Sequence, residues 1–448
     1  MDPQRFRSEG HALIDWLADE WAARRQRRVC PDIAPGDLTR ELPSEFPESP
    51  QPGPAIDLAE WLSRGTTWWD HPGFHAWFPA NTHPASVLAD LVAAGLGGQA
   101  MTWHSAPAST ELEAHVLNAF RVAIGLSDAW TGIATDTAST GTLTALLLAR
   151  SRARGRVLAS EEAHSSVAKG ARLADLPFDL VPADADGAMN VEALGRIAAV
   201  GPVSAIVSTI GTTTTTAIDP VAAIVASQPD AWHHVDAALA GNAMLLPECR
   251  TLWDGVEGAD SIVVNPHKWL GVGFDLSVLF VRDVEAMRAI MATDPSYLRT
   301  PFDALVTPRK DLGIPLGRRN RALKLWAVAR VEGLAGLRAR LRADLHRATR
   351  VADHFRARPD WRVLAPARLQ TVVARWQPAH LSDAAADRAN LAIVAALNRT
   401  GRHLLTQVSW RGRPIVRISV GALDTTDDDI SVLLDALDDT VAEVSTLR

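Results

Sequence analysis

Apolar residues recur at helical spacing at Phe6, Leu13, Ile14, Leu17 and Trp21, which predicts an amphipathic helix at the start of the chain. Its apolar stripe needs a partner surface. Residues 31–54 are rich in proline and predict an extended connector, followed by a short helix over Asp57–Gly65. A helix over Pro84–Gly95 comes next, and the run Ser109-Thr110-Glu111-Leu112-Glu113 predicts another that starts at Ser109.

From about residue 130 to 290 the pattern changes to short apolar runs alternating with helical stretches. Strands are expected at Val157–Ser160, Ala205–Thr209, Ala231–Ala238, Ser261–Val264 and Leu276–Val281, with a helix over Leu143–Arg154. Such alternation implies a largely parallel sheet. A connector over 294–313 contains three prolines, and loops of that length are commonly lids. Beyond it, a helix over Leu316–Val331 opens a region that mixes helices with the strands Thr371–Trp376 and Pro414–Val420. The expectation is an α/β protein in three parts. A helical segment spans 1–75, a large α/β domain 76–325 and a small α+β domain 326–448.

Length agrees, since 448 residues exceed one ordinary core. Hydrophobic and charged fractions of 47% and 22% are those of a soluble globular chain. A net charge of −7 argues against nucleic acid as a partner. The basic run Arg24-Arg25-Gln26-Arg27-Arg28 reads as a solvated helix end. Two cysteines, Cys30 and Cys249, make neither a disulfide framework nor a cysteine metal site. The longest apolar stretch, Pro84–Met101, carries Asp90 and several glycines, so it is expected to pack as a helix and not to span a membrane. With no apolar leader core near Met1, a cytoplasmic location is the default expectation.

The candidate chemistry centres on Ser261-Ile262-Val263-Val264-Asn265-Pro266-His267-Lys268-Trp269-Leu270. The β-branched run reads as a buried strand that breaks at Asn265-Pro266, which sets Lys268 on a loop just past a strand end. In α/β folds, ligands lie outside those carboxyl ends. Only four of the 45 basic residues are lysines, so Lys268 is not casual surface charge. Asp236 lies in an earlier apolar strand, about one crossover away, and a buried carboxylate there calls for a cation. Ala238 is small enough to leave room for a flat ring. Ala138-Ser139-Thr140-Gly141-Thr142 opens a helix and offers its N–H groups to a phosphate. His164 could stack on a ring, and Asn265 and His267 lie close to the lysine in sequence. Together these match what pyridoxal phosphate needs: a lysine, a carboxylate facing the ring nitrogen and a phosphate cradle. The aromatic run around Trp77 and Phe78 could line a pocket for a flat ligand or simply be core. Two other classes compete. A metal-assisted hydrolase would use His234, Asp236 and His267, and leaves Lys268 without a role. A binding protein that merely keeps the fold is the other.

The motifs Asn265-Pro266-His267-Lys268-Trp269-Leu270, His234-Val235-Asp236-Ala237-Ala238 and Glu162-Ala163-His164-Ser165-Ser166 resemble the pyridoxal-phosphate-dependent group II amino-acid decarboxylases. Among these, the chain is most similar to the aromatic-L-amino-acid branch. Gly211-Thr212-Thr213-Thr214, Asp294-Pro295-Ser296-Tyr297-Leu298 and Ile314-Pro315-Leu316-Gly317-Arg318-Arg319 extend the resemblance to about residue 345. It implies a fold type I (aspartate-aminotransferase-like) homodimer with a shared active site and no metal. Lys268 would hold the cofactor, Asp236 would face its ring nitrogen and His164 would stack on it. Ala138, Ser139, Asn265 and His267 would bind the phosphate side, and Thr212 would lie near the ring. Tyr297, the chain's one tyrosine, would act from a mobile loop on the neighbouring subunit's site. The implied substrate pocket comprises Trp77, Phe78, Met101, Trp103 and Gly317, and Gly317 mildly favours tryptophan-like substrates. The implied activity is release of carbon dioxide from an aromatic L-amino acid, with an aldehyde synthase on the same scaffold as the alternative. Arg417 could bind a carboxylate or tie down the C-terminal domain.

Overall fold

Strands β1 (Thr131–Thr135), β2 (Arg156–Ser160), β3 (Phe178–Val181), β4 (Val203–Thr209), β5 (Trp232–Asp236), β6 (Ser261–Val264) and β7 (Ser277–Val281) form one sheet, in the order β1-β7-β6-β5-β4-β2-β3. They are seen in a computed structural model that describes residues 1–50 and 53–446. Strands β2 to β6 pair in parallel, while β7 is antiparallel to both β6 and β1. The reversal has a local cause. No helix separates β6 from β7, so the intervening loop turns back at the carboxyl edge instead of crossing the sheet. That loop carries Lys268.

β5 and β6 are buried along their whole length, as parallel strands covered on both faces must be. The histidines of β5 are bonded internally, although His233 Nδ1 is buried without a partner. His233 Nε2 bonds the Gln228 carbonyl at 2.8 Å, and His234 sits between the hydroxyls of Thr142 (3.2 Å) and Ser261 (2.9 Å). The expected strand over Ala231–Ala238 is shorter, Trp232–Asp236. Ala238 lies beyond it, with its N–H turned back onto Asp236 Oδ1 at 3.0 Å.

Helix Ala138–Arg152 packs across the sheet through Gly141, where an added Cβ would lie 2.9 Å from Val263 Cγ2. Gly241 makes a similar close approach, with Val264 Cγ2 at 2.5 Å from a would-be Cβ. Gly241→Ala should therefore destabilise the fold by about 1–3 kcal/mol through overpacking, read as a lower denaturation midpoint. An unchanged midpoint would mean that β6 can shift, contrary to its buried setting.

A second sheet, β8 (Trp361–Val363), β9 (Thr371–Trp376), β10 (Val408–Trp410) and β11 (Arg413–Ser419), is antiparallel throughout, in the order β10-β11-β9-β8. Helices Asp383–Arg399 and Asp427–Thr446 pack beside it. Helix Ala322–Arg356 joins the two sheets, running across the expected boundary at 325–326 with a break at Gly333 (φ 64°). The helix expected from Leu316 starts only at Ala322, because Arg318 is drawn inward to Glu113 (2.9 Å) and the Ala134 carbonyl (2.7 Å). Likewise the helix expected from Ser109 begins at Pro107, whose missing N–H costs nothing in a first turn.

Helix Pro3–Ala23 buries only Glu20 and leans on helix Ala55–Arg64. Phe6, Ile14, Leu58 and Leu62 stay exposed on this pair, as do Leu88, Leu91, Val92 and Leu96 on helix Pro84–Leu96. Among the described residues no helix is long and apolar enough to cross a membrane.

Candidate active site

β4 ends at Thr209, β5 at Asp236 and β6 at Val264, and Thr209 pairs directly with Asp236 in register. Their carboxyl ends and the start of helix Ala138–Arg152 enclose a cavity of about 160 Å³, whose wall includes Ala138, Ser139, His164, Asp236, Asn265 and Lys268. Lys268 is held there from behind. Its N–H donates to the Asn265 carbonyl at 3.0 Å, and the neighbouring Trp269 is fully buried with its indole N–H on Asp344 at 2.9 Å. Arg340 adds bonds to the carbonyls of Trp269 (2.9 Å) and Leu270 (3.1 Å).

Burial lowers the Lys268 pKa below that of an ordinary lysine; Asp236 opposes the shift and Arg417 adds to it. A neutral amine, the nucleophilic form, is thus more accessible than on a surface lysine. The Asp236 carboxylate is buried, accepts from Ala238 N–H and has no salt-bridge partner among the described residues. His164 Nδ1 accepts from Ser166 N–H at 3.2 Å, which leaves the ring proton on Nε2. Burial also depresses its pKa, so the ring is neutral near pH 7. Asn265 Oδ1 accepts from the Ser277 hydroxyl at 2.6 Å. His267 accepts from Leu276 N–H at 3.1 Å and is pushed down to about 4, mainly by burial.

A larger and mostly apolar cavity, about 730 Å³, adjoins the first and shares Phe78, His164, Thr213 and Lys268 with it. Trp68, Trp69, Trp77 and Phe274 line it, and His267 faces this side. The Phe78 ring lies 5.2 Å from Lys268 Nζ and 4.8 Å from the Arg417 guanidinium. Trp77 adopts a left-handed backbone (φ 37°) and stacks on Trp69 at 5.0 Å. Such a conformation persists only when its surroundings fix it. Here the Trp77 N–H donates to Thr406 Oγ1 at 2.6 Å and its carbonyl accepts from Arg417.

Arg417 is buried and donates also to the carbonyls of Thr213 (3.1 Å) and Thr214 (3.2 Å). It lines neither cavity, so of the two readings of this residue its contacts are those of a tie between β11 and the cavity wall. Burial without a carboxylate pulls its pKa down to about 9. Arg417→Lys should lower thermal stability and raise KM, because a point-like ammonium cannot span these carbonyls. Each lost bond is worth about 1.5–3 kcal/mol. Wild-type KM in a folded variant would count against this tie.

Other expected site residues lie elsewhere. Thr212 is buried with its hydroxyl accepting from Ala217 N–H at 2.9 Å, and the cavity wall there is Gly211 and Thr213. Tyr297 is 79% exposed and touches neither cavity. Met101, Trp103 and Gly317 also lie outside both, with Trp103 packed on Phe302 at 4.5 Å. One chain alone does not bring these four to Lys268. His234, a ligand in the hydrolase reading, has both ring nitrogens engaged, and among the described residues no cluster of His, Cys, Asp and Glu could hold a metal. The sequence reading missed Thr209, which carries no signal beyond its place at a strand end, and Thr213, which lies in the Gly211-Thr212-Thr213-Thr214 motif but was passed over for its neighbour Thr212.

The pyridoxal-dependent decarboxylase conserved domain matches residues 35–377. The chain belongs to this family. The decarboxylase is 31% identical over 454 residues to phenylacetaldehyde synthase of Arabidopsis thaliana, covering 94% of this chain and 93% of the relative. It is 34% identical over 401 residues to aromatic-L-amino-acid decarboxylase of Cavia porcellus, covering 81% and 83% of the two chains. A solved structure of Oryza sativa TDC with PLP and tryptamine superposes with a TM-score of 0.94 at 29% identity, over 99% of both chains. The decarboxylase is thus a fold type I enzyme whose cofactor is pyridoxal phosphate. Its cavity suits that group. A buried carboxylate without a cation fits a protonated ring nitrogen, and a desolvated lysine amine fits a carbonyl.

Proposed function

We propose that this decarboxylase converts an aromatic L-amino acid to its amine and carbon dioxide. The observation that carries the reading is the tryptophan-lined cavity opening onto Lys268. A panel of L-amino acids assayed for amine tests it. Tryptophan, phenylalanine, tyrosine or their hydroxylated derivatives should lead by kcat/KM, and a preference for acidic side chains would overturn it.

Bound pyridoxal phosphate supplies an electron sink for the pair left at Cα when carbon dioxide departs. Lys268 holds the cofactor, Asp236 keeps the ring nitrogen protonated and neutral His164 lies against the ring. Ala138 and Ser139 offer first-turn N–H groups to the phosphate, with Asn265 beside them, while His267, expected on the phosphate side, faces the apolar cavity. Ala238 leaves room for the ring, and Thr213 takes the place expected of Thr212. Trp77 and Phe78 exclude water on the substrate side.

The enzyme acts as a homodimer. Two unpartnered apolar faces support this: helix pair Pro3–Ala23 and Ala55–Arg64, and helix Pro84–Leu96. So does the distance of Met101, Trp103, Gly317 and exposed Tyr297 from their own chain's Lys268, since a second copy can supply them. In this reading residues 1–75 clasp the partner, 76–325 bind the cofactor and 326–448 form the small domain, in a cytoplasmic enzyme. A second reading, an aldehyde synthase, draws on the similarity to the Arabidopsis synthase. Oxygen uptake with peroxide and ammonia release, in place of amine, would select it.

A further inference from the structure

A separate cavity of about 470 Å³ lies where the segment after the first helix meets the small domain. Its wall includes Arg25, Arg27, Arg28 and Arg402, with His71 and His403, against the single acid Asp429. Two of these cations are already neutralised, Arg25 by Asp429 and Arg27 by Glu20. Arg28 and Arg402 have no carboxylate partner among the described residues. Arg28 lies over Gly401, whose missing side chain (φ 69°) makes the space for it.

The histidines add donors without acceptors. His71 Nδ1 accepts from Gly73 N–H at 2.8 Å, so its proton sits on Nε2, which is buried and has no partner. His403 is 6% exposed and neither ring nitrogen is bonded. Buried N–H donors and unpaired guanidinium groups facing one space want an acceptor with negative charge. We propose that this cavity binds a phosphate-class oxyanion, distinct from the cofactor's own phosphate.

The site is joined to the active site by a short stretch of chain. The segment that begins at cavity residues His71 and Gly73 ends at Trp77 and Phe78, the wall beside Lys268. It is stitched to the small domain along the way: Leu404 N–H to Gly73 O (3.0 Å), His75 N–H to Leu404 O (2.9 Å) and Ser419 N–H to His75 O (3.1 Å).

The test is calorimetric titration of the cofactor-saturated enzyme with inorganic phosphate and with a sugar monophosphate, at constant ionic strength. Saturable binding of one anion per chain is expected, with the visible absorbance of the cofactor unchanged. Arg28→Gln with Arg402→Gln should weaken it by roughly tenfold or more, since each removes a charge-assisted contact, while basal kcat holds. Absence of saturable binding, equal affinity in the double variant, or release of cofactor by the anion would each overturn the proposal. So would a crystal structure with this cavity filled by the partner subunit.

Discussion

Lys268→Ala is expected to lose roughly three or more orders of magnitude in kcat, and its visible absorbance with added pyridoxal phosphate, without losing stability. No other lysine can substitute. Lys310 is bound to the Thr293 carbonyl (2.6 Å) and Asp311 (2.5 Å), Lys324 is paired with Asp90 at 3.2 Å, and Lys169 is on helix Ser166–Leu173, away from both cavities. The stability half of the expectation comes from burial. A desolvated amine near the Arg417 guanidinium is costly to keep charged, which is why its pKa is lowered, so alanine removes a penalty along with the nucleophile. Trp269, Arg340 and Asp344 hold the loop without help from the lysine side chain. A thermal melt beside the activity assay separates the two. Lost activity with a lowered melting point would indicate a structural lysine, and retained activity would remove Lys268 from the chemistry.

How far the sequence revealed this site depends on whether a residue's neighbours are local. Asp236 and Lys268 were readable because one ends a strand, the other lies on the loop just past the next strand's end, and one crossover separates them, so sheet geometry alone puts them together. The start of helix Ala138–Arg152 was readable from its Ser, Thr and Gly, although its cap is Thr137 and not the later residues. The antiparallel turn of β7 was not, since an apolar run carries no direction. The role of Arg417 stayed undecided because its acceptors, the carbonyls of Thr213, Thr214 and Trp77, are distant in sequence. The cavity of His71 and His403 was hidden for the same reason, as its cations come from both ends of the chain. Met101, Trp103, Gly317 and Tyr297 are a different case. Resemblance alone assigned them to the pocket, and a single chain keeps them apart from Lys268.

That separation makes Tyr297→Phe the more searching experiment. The carbon that loses carbon dioxide must gain a proton, and a positioned acid typically contributes roughly 10²–10⁴-fold, so kcat for amine should fall by that order. Tyr297 sits on a short turn, Ser296–Leu298, and is 79% exposed, so losing one hydroxyl leaves the melting point unchanged. Oxygen uptake and aldehyde should rise in the variant as the unprotonated carbon reacts by another route. Mixing subunits then decides which chain provides the tyrosine. Lys268→Ala subunits and Tyr297→Phe subunits each make little or no amine alone. If Tyr297 serves the partner's site, a hybrid dimer contains one complete site: the lysine of one chain and the tyrosine of the other. Amine production should reappear on mixing and refolding the two. If Tyr297 serves its own chain, every site in the hybrid lacks one group and no activity returns, which would overturn the shared site along with the reading of the exposed loop as an arm reaching across.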